Sequence, residues 1–118
     1  MLSVLLALAL QVLPNHPIVP PEGVYECVGN APQGEYRMTL EVKKDGDTFY
    51  FVWQDKVIKA KGVGLRTDNF IAVVYQLDTG DVGVSHYKVV PGGLVGKWSA
   101  GDGEIYPELC SEKIGANV

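Results

Sequence analysis

The sequence predicts an all-β domain in which eight antiparallel strands form an up-and-down meander that closes into a small barrel. From Gly23 onward apolar side chains recur with a period of two residues, which is the period of a strand. Turn-forming residues recur about every 8–13 residues, and no helical period of useful length follows residue 21. Short strands joined by hairpins are typical of a meander, and closure removes its exposed edges. A β-sandwich is the alternative.

Length and composition exclude several classes of protein. The chain has 118 residues, of which 47% are hydrophobic and 20% charged, so it fits one domain and is not a disordered polyelectrolyte. Ten basic and 14 acidic residues give a net charge of −4, which argues against nucleic acid as a partner. No apolar run reaches the roughly 18 residues of a spanning helix, so we expect no stable membrane insertion after signal removal.

Residues 1–13 (MLSVLLALALQVL) form a signal-like hydrophobic segment, and no charged side chain precedes Glu22. Its length matches the apolar core of an export signal, about 7–15 residues, although no Lys or Arg precedes it. We therefore predict an exported protein, periplasmic or secreted; an N-terminal helix packed on the domain is the alternative. Residues 14–22 contain four prolines, which exclude a regular helix and indicate a linker.

The first strands of the predicted barrel lie between residues 23 and 54. The segment GVYECV opens the domain at Gly23, and residues 37–43 alternate apolar and polar side chains, which indicates a strand with one solvated face. A tight turn at residues 45–47 (DGD) follows. Residues 48–54 (TFYFVWQ) are largely apolar on both faces.

The remaining strands follow at similar spacing. After a reversal at Asp55-Lys56, we expect Val57, Val63 and Leu65 to share one face of the fourth strand. The last four strands are predicted at residues 70–77, 82–90 and 94–98 and in a segment that ends near Cys110. The domain therefore covers residues 23–113, and residues 114–118 form a tail.

The two cysteines lie near the two ends of this domain. Cys27 falls in the first predicted strand and Cys110 in the last, with no CxxC motif. Two thiols cannot form a four-ligand zinc site, whereas an oxidising compartment favours a disulfide. In an eight-stranded meander barrel the first and last strands are antiparallel neighbours, at a separation that a disulfide accepts. We predict a Cys27–Cys110 disulfide; two separate buried thiols are the alternative.

The sequence contains no recognisable catalytic or cofactor-binding constellation. Of its two histidines, His16 lies in the linker, and His86 points to the strand face opposite Ser85. Most acidic residues occur in predicted turns, where they serve turn geometry. No phosphate loop or dinucleotide motif is present. We therefore expect no enzyme, no catalytic residue, no metal site and no cofactor. His86 shares its face with Lys88, which favours the surface or the rim of the barrel over its lumen.

Aromatic side chains are the remaining candidates for a binding site. Phe49, Phe51 and Trp53 share one strand face, and with Tyr75 and Trp98 they are the predicted ligand-binding residues. If this set lines the lumen, the barrel mouth can hold a small apolar ligand. Simple core packing is the first alternative, because an eight-stranded barrel is barely wider than its own side chains require. An exposed aromatic patch that binds a protein is the second.

Several segments resemble small exported bacterial or phage proteins of lipocalin-like or avidin-like build. They are GVYECVGNAPQGEYRMTLEVKKDGDTFYFVW, KGVGLRTDNFIAVVYQ and VSHYKVVPGGLVGKW. The resemblance covers residues 23–110 and implies a β-barrel without an assigned activity. Lipocalins and avidins carry Gly-x-Trp on their first strand, whereas here that strand has Gly23-Val24-Tyr25 and Trp98 comes late. No lipid-contacting or biotin-contacting residue is therefore transferred.

The resulting functional prediction is a non-enzymatic, exported binding module for a small apolar ligand or a protein partner. The alternative is an inhibitor or adhesion module that acts through its loops, with residues 29–35 and 91–93, or the end of the seventh strand near Trp98, as candidates. The sequence does not predict an oligomeric state.

Overall fold

The structure, a computed structural model, describes residues 22–113. The predicted signal-like segment, the tail and all of the linker except Glu22 lie outside these residues. The described chain forms eight strands. They are β1 (Gly23–Ala31), β2 (Gly34–Asp45), β3 (Thr48–Gln54), β4 (Lys59–Thr67), β5 (Phe70–Leu77), β6 (Val82–Val90), β7 (Gly93–Ser99) and β8 (Tyr106–Glu112).

The strands form one closed antiparallel barrel in chain order, so the predicted fold is confirmed. Each strand pairs with the next, and β8 pairs with β1 to complete the wall. This closure leaves no unpaired sheet edge among the eight strands, which removes the aggregation hazard of an open meander.

The predicted disulfide closes the seam between the first and last strands. Cys27 and Cys110 lie directly opposite each other in the β1–β8 ladder. Their sulfur atoms are bonded at 2.04 Å across a sequence separation of 83 residues. Both side chains are buried. The disulfide therefore links the two ends of the domain inside the barrel.

Strand alternation sorts side chains between the lumen and the outer wall. On β3, Phe49, Phe51 and Trp53 point inward and are buried, whereas the side chain of Tyr50 points outward and is 44% exposed. On β6 His86 is exposed on the outer wall, in agreement with its predicted place. The lumen thus contains the aromatic set that the sequence indicates.

The fourth strand begins later than predicted. Asp55 Oδ1 accepts hydrogen bonds from the backbone N–H groups of Val57 and Ile58, both at 2.7 Å. This side-chain turn keeps Val57 outside the ladder, and β4 starts at Lys59. The prediction that Val57 shares a strand face with Val63 and Leu65 is therefore wrong, although Val63 and Leu65 both face outward.

The two ends of the barrel differ in how they are filled. At the closed end, which carries the β2–β3, β4–β5 and β6–β7 turns, buried apolar side chains and the disulfide fill the lumen. Phe49 and Leu94 are among the buried side chains in this part. The open end carries the β1–β2, β3–β4, β5–β6 and β7–β8 turns. Here the lumen is hollow.

Candidate functional site

A cavity of about 240 Å³ occupies the open end of the barrel. Its mouth is formed by turn residues, among them Pro32, Asp55 and Ala100. Its walls are mostly apolar and aromatic. They include Tyr36, Met38, Trp53, Ala60, Tyr75, Leu77, Tyr87 and Trp98. An apolar concavity with a few polar groups is the usual form of a small-molecule site.

One acidic side chain lies on the cavity wall. The side chain of Glu108 is inward-facing on β8, and the residue is only 5% exposed. The hydroxyl of Tyr36 donates to its Oε1 at 2.6 Å, and the hydroxyl of Tyr87 donates to its Oε2 at 2.5 Å. Burying a carboxyl group is costly without such partners. The two tyrosines therefore hold Glu108 in a fixed position.

The sequence builds this arrangement by placing glycines beside Glu108. In the ladder, Gly29 of β1 and Gly96 of β7 flank Glu108 on its two sides. Tyr36 pairs with Gly29, and Tyr87 pairs with Gly96. A Cβ atom on either glycine would collide with the ring of its paired tyrosine. The absent side chains leave room for both rings to lie over the glycines and reach the carboxyl group.

Three polar atoms around the cavity have no hydrogen-bond partner among residues 22–113. They are Trp53 Nε1, Ser85 Oγ and Trp98 Nε1, and all three side chains line the cavity. Trp53 is 5% exposed and Ser85 is 6% exposed. Buried polar groups are nearly always satisfied in folded proteins. Water or a bound molecule in the cavity can complete their hydrogen bonding.

The tyrosine hydroxyls around the cavity have raised pKa values. Burial is the largest cause for Tyr36 and Tyr87, followed by the negative charge of Glu108, and the pKa of both hydroxyls lies well above its usual value. Burial and Glu108 also raise the pKa of Tyr75 to about 12. The polar groups of Trp98 and Ser85 lie near the hydroxyls of Tyr36 and Tyr87, respectively, and lower their pKa in part. Neither group meets the geometry of a hydrogen bond. These tyrosines stay protonated at neutral pH.

We expect the free energy of unfolding to fall as the pH rises above about 10. The unfolded chain ionises its tyrosines near that pH, whereas folded Tyr87 keeps its proton. The unfolded state then binds fewer protons, so Tyr87 alone contributes a loss of about 1.4 kcal/mol per pH unit. Urea unfolding at several pH values above and below this point measures the slope. Tyr87→Phe should reduce this slope by about 1.4 kcal/mol per pH unit, the contribution of one proton. A urea midpoint of the wild type that stays constant above about pH 10 would contradict the expectation.

The site lacks the arrangement of a common catalytic or metal centre among the described residues. Ser85 faces the lumen and His86 the outer wall, so they do not form a nucleophile–base pair. The one group of three metal-ligand types in residues 22–113 is Cys27, Glu108 and Cys110. Both sulfurs are in the disulfide and cannot act as thiolate ligands.

The structure divides the predicted ligand-binding residues between the two halves of the barrel. Trp53, Tyr75 and Trp98 line the cavity, whereas Phe49 and Phe51 lie outside its lining and pack in the core. Phe51 stacks on Tyr87 with ring centroids 5.7 Å apart, so it packs behind one of the rings that line the cavity. A ligand-binding role for all five residues stays a prediction.

Sequence reasoning missed the polar part of the site. Glu108, Tyr36, Tyr87 and Ser85 were not among the predicted residues, yet all four line the cavity. One signal was available: Glu108 lies two positions before Cys110, so both must point to the same side of β8. A disulfide inside the barrel places Glu108 there as well.

The comparisons with known proteins leave the family open. No protein-family model matches the chain, and no curated protein is significantly similar to it. The resemblance to lipocalin-like or avidin-like exported proteins therefore stays a prediction, beyond the shared barrel architecture. Residues 22–113 contain no helix with the length and apolar character needed to cross a bilayer.

Proposed function

We propose that this protein is a non-enzymatic binding module that holds a small, largely apolar molecule in the cavity at the open end of its barrel. The observation that carries the proposal is the set of three buried polar atoms without partners, Trp53 Nε1, Ser85 Oγ and Trp98 Nε1, around one cavity. Oxygen atoms of a ligand, or of water retained beside it, can accept from the indole N–H groups, which are donors only.

A small residue helps to keep the open end hollow. Gly83 lies opposite Tyr75 in the β5–β6 ladder, but the Tyr75 ring already occupies the space that a side chain at Gly83 would need. Ala60 lies opposite Trp53 in the β3–β4 ladder, at an inward position that would hold a bulky side chain in a filled barrel, since eight strands enclose just enough space for such packing. A ligand body placed there contacts the rings of Trp53 and Tyr75, whose centroids are 5.8 Å apart.

A neutral probe tests this proposal. We expect 2-phenylethanol to quench tryptophan fluorescence in a saturable way, because both tryptophans of the chain line the cavity. Ala60→Leu fills the cavity and should weaken binding at least about tenfold, which corresponds to about 1.4 kcal/mol. Ala72→Leu is the matched control, since Ala72 is exposed on the outer wall. Equal affinities of the two variants, or no saturable response of the wild type, would contradict the proposal.

Binding of a protein partner is the second candidate function, favoured by the outer wall. Tyr50, Val63, Val74 and Val84 follow one another across the paired strands β3–β6. All four are exposed, and contiguous exposed apolar patches often mark interaction surfaces. Val74→Lys changes this stripe without touching the cavity. It should leave binding of 2-phenylethanol unchanged, because Val74 faces the outer wall, and it should weaken binding of a protein that docks on this stripe.

We also propose that the protein is exported. A buried disulfide between β1 and β8 supports this, because structural disulfides persist mainly in oxidising compartments. The inhibitor or adhesion alternative keeps the same location. Its candidate segment at residues 29–35 contains the β1–β2 turn at the cavity mouth, whereas residues 91–93 lie at the closed end.

A further inference from the structure

Among residues 22–113, Glu108 is a buried acidic side chain without a basic partner. The ion pairs Arg37–Glu35 and Lys113–Glu26 do not involve it. The two partners of its carboxyl group are neutral tyrosine hydroxyls. Buried charges are normally paired with an opposite charge or a metal. Glu108 therefore lacks the partner that a buried carboxylate usually has.

The carboxyl group of Glu108 has acceptor positions that the tyrosine hydroxyls do not use. Each of its oxygens accepts one tyrosine hydroxyl, but a carboxylate has about four acceptor positions, so two remain. Glu108 itself contributes to the cavity wall. A hydrogen-bond donor on a ligand can reach it there. A neutral or anionic ligand would cover the carboxylate without compensating its charge.

Aromatic rings surround the position that a cationic group would occupy. Tyr36 and Tyr87 bracket the carboxyl group, and Trp98 packs edge-on against Tyr36 with centroids 6.2 Å apart. Trp53 and Tyr75 form the facing wall. Aromatic faces attract organic cations, and the attraction is strongest where water is excluded.

The mouth of the cavity is acidic. The turns at the open end carry five acidic residues and one basic residue, Lys56. The acidic ones are Asp55, Asp78, Asp81, Asp102 and Glu104. Backbone N–H groups lower the pKa of Asp55, and a backbone N–H together with the Tyr106 hydroxyl lowers that of Asp102. A concentration of one charge sign around a cleft attracts ligands of the opposite sign.

We propose that the cavity selects organic cations and that an ammonium group of the ligand pairs with Glu108 while its apolar body lies against Trp53 and Tyr75. This rests on the proposed function, since it names the class of ligand for the same cavity. Glu108 is then the residue that determines specificity. The tyrosines Tyr36 and Tyr87 are positioning residues that hold its carboxyl group toward the ligand.

A series of three probes with the same phenyl body tests the inference. Phenethylamine is cationic at neutral pH, 2-phenylethanol is neutral and 3-phenylpropionate is anionic. We expect calorimetric or fluorescence titration of the wild-type protein to give at least about tenfold tighter binding of the amine than of the alcohol. The anion should bind most weakly. Equal affinities, or a preference for the anion, would overturn the inference while leaving the proposed function intact. Failure of all three probes to bind would overturn the proposed function as well.

Two variants assign the preference to one carboxyl group. Glu108→Gln keeps the shape of the side chain, and it should abolish the preference for the amine while the alcohol still binds. Glu41→Gln is the matched control, because it removes the same charge from an exposed position on the outer wall of β2, away from the cavity mouth. It should change the preference less than about twofold. An unchanged preference in Glu108→Gln would overturn the role of Glu108. If that variant does not fold, the wild-type series decides the cation inference by itself.

Discussion

Replacing both cysteines, Cys27→Ala together with Cys110→Ala, should lower the free energy of unfolding by about 4.5 kcal/mol. The reason is the length of chain that the disulfide closes, since the two residues are 83 positions apart. Cross-linking so long a loop removes many conformations from the unfolded chain, and the stabilisation grows with the logarithm of loop length. Because a small domain has about 5–15 kcal/mol of stability, this loss is a large fraction of the total.

Urea unfolding of the oxidised wild type, the reduced wild type and the double variant measures this effect. The disulfide is buried in the barrel, so reduction requires opening of the seam, and denaturation in the presence of reductant should coincide with that of the double variant. Single replacements are poor controls, since each leaves a free thiol in the lumen. A double variant as stable as the oxidised protein would show that the seam between β1 and β8 is held by other contacts alone.

Phe51→Ala should cost about 4 kcal/mol of unfolding free energy. The side chain is fully buried in the lumen and stacks on Tyr87, with centroids 5.7 Å apart and planes inclined at 16°. It also packs against Trp53 at a centroid distance of 5.3 Å. Its removal leaves a void beside the rings of Trp53 and Tyr87. The protein then loses both the hydrophobic free energy of the buried ring and its packing contacts.

The neighbouring residue provides the matched control. Tyr50 precedes Phe51 in β3 but faces the outer wall, so Tyr50→Ala removes an aromatic side chain without opening the core. We expect it to cost less than about 1 kcal/mol. Thermal and urea denaturation of the two variants compare these effects directly. Similar losses for both would contradict the inward–outward alternation of β3 and the packing of the lumen.

The barrel could be predicted because its signals are local and repeated. Period-two alternation and turn residues depend only on neighbours in the chain, and the same pattern recurs in every strand. The disulfide was predictable for a related reason, since a closed meander brings the strands of Cys27 and Cys110 together. The predicted start of the fourth strand was wrong at Val57 because the carboxylate of Asp55 accepts hydrogen bonds from two backbone N–H groups and turns the chain there.

The polar part of the site could not be predicted in the same way. The hydrogen bond from Tyr36 to Glu108 joins residues 72 positions apart, and its geometry depends on the stagger of strands around the barrel. The site also depends on Gly29 and Gly96, because a side chain at either position would collide with the tyrosine ring that lies over it. Sequence alone marked the aromatic face of β3, but it could not separate Trp53, which lines the cavity, from Phe49, which does not.

The most direct test of a binding cavity at the open end is an NMR titration that follows the two indole N–H signals. The chain has two tryptophans, Trp53 and Trp98, and both N–H groups lack a partner among residues 22–113. Adding 2-phenylethanol or phenethylamine should shift both signals along one saturation curve, while the backbone amide of Leu94 at the closed end stays in place. Indole signals that do not move, or shifts confined to the outer stripe of Tyr50, Val63, Val74 and Val84, would contradict the account.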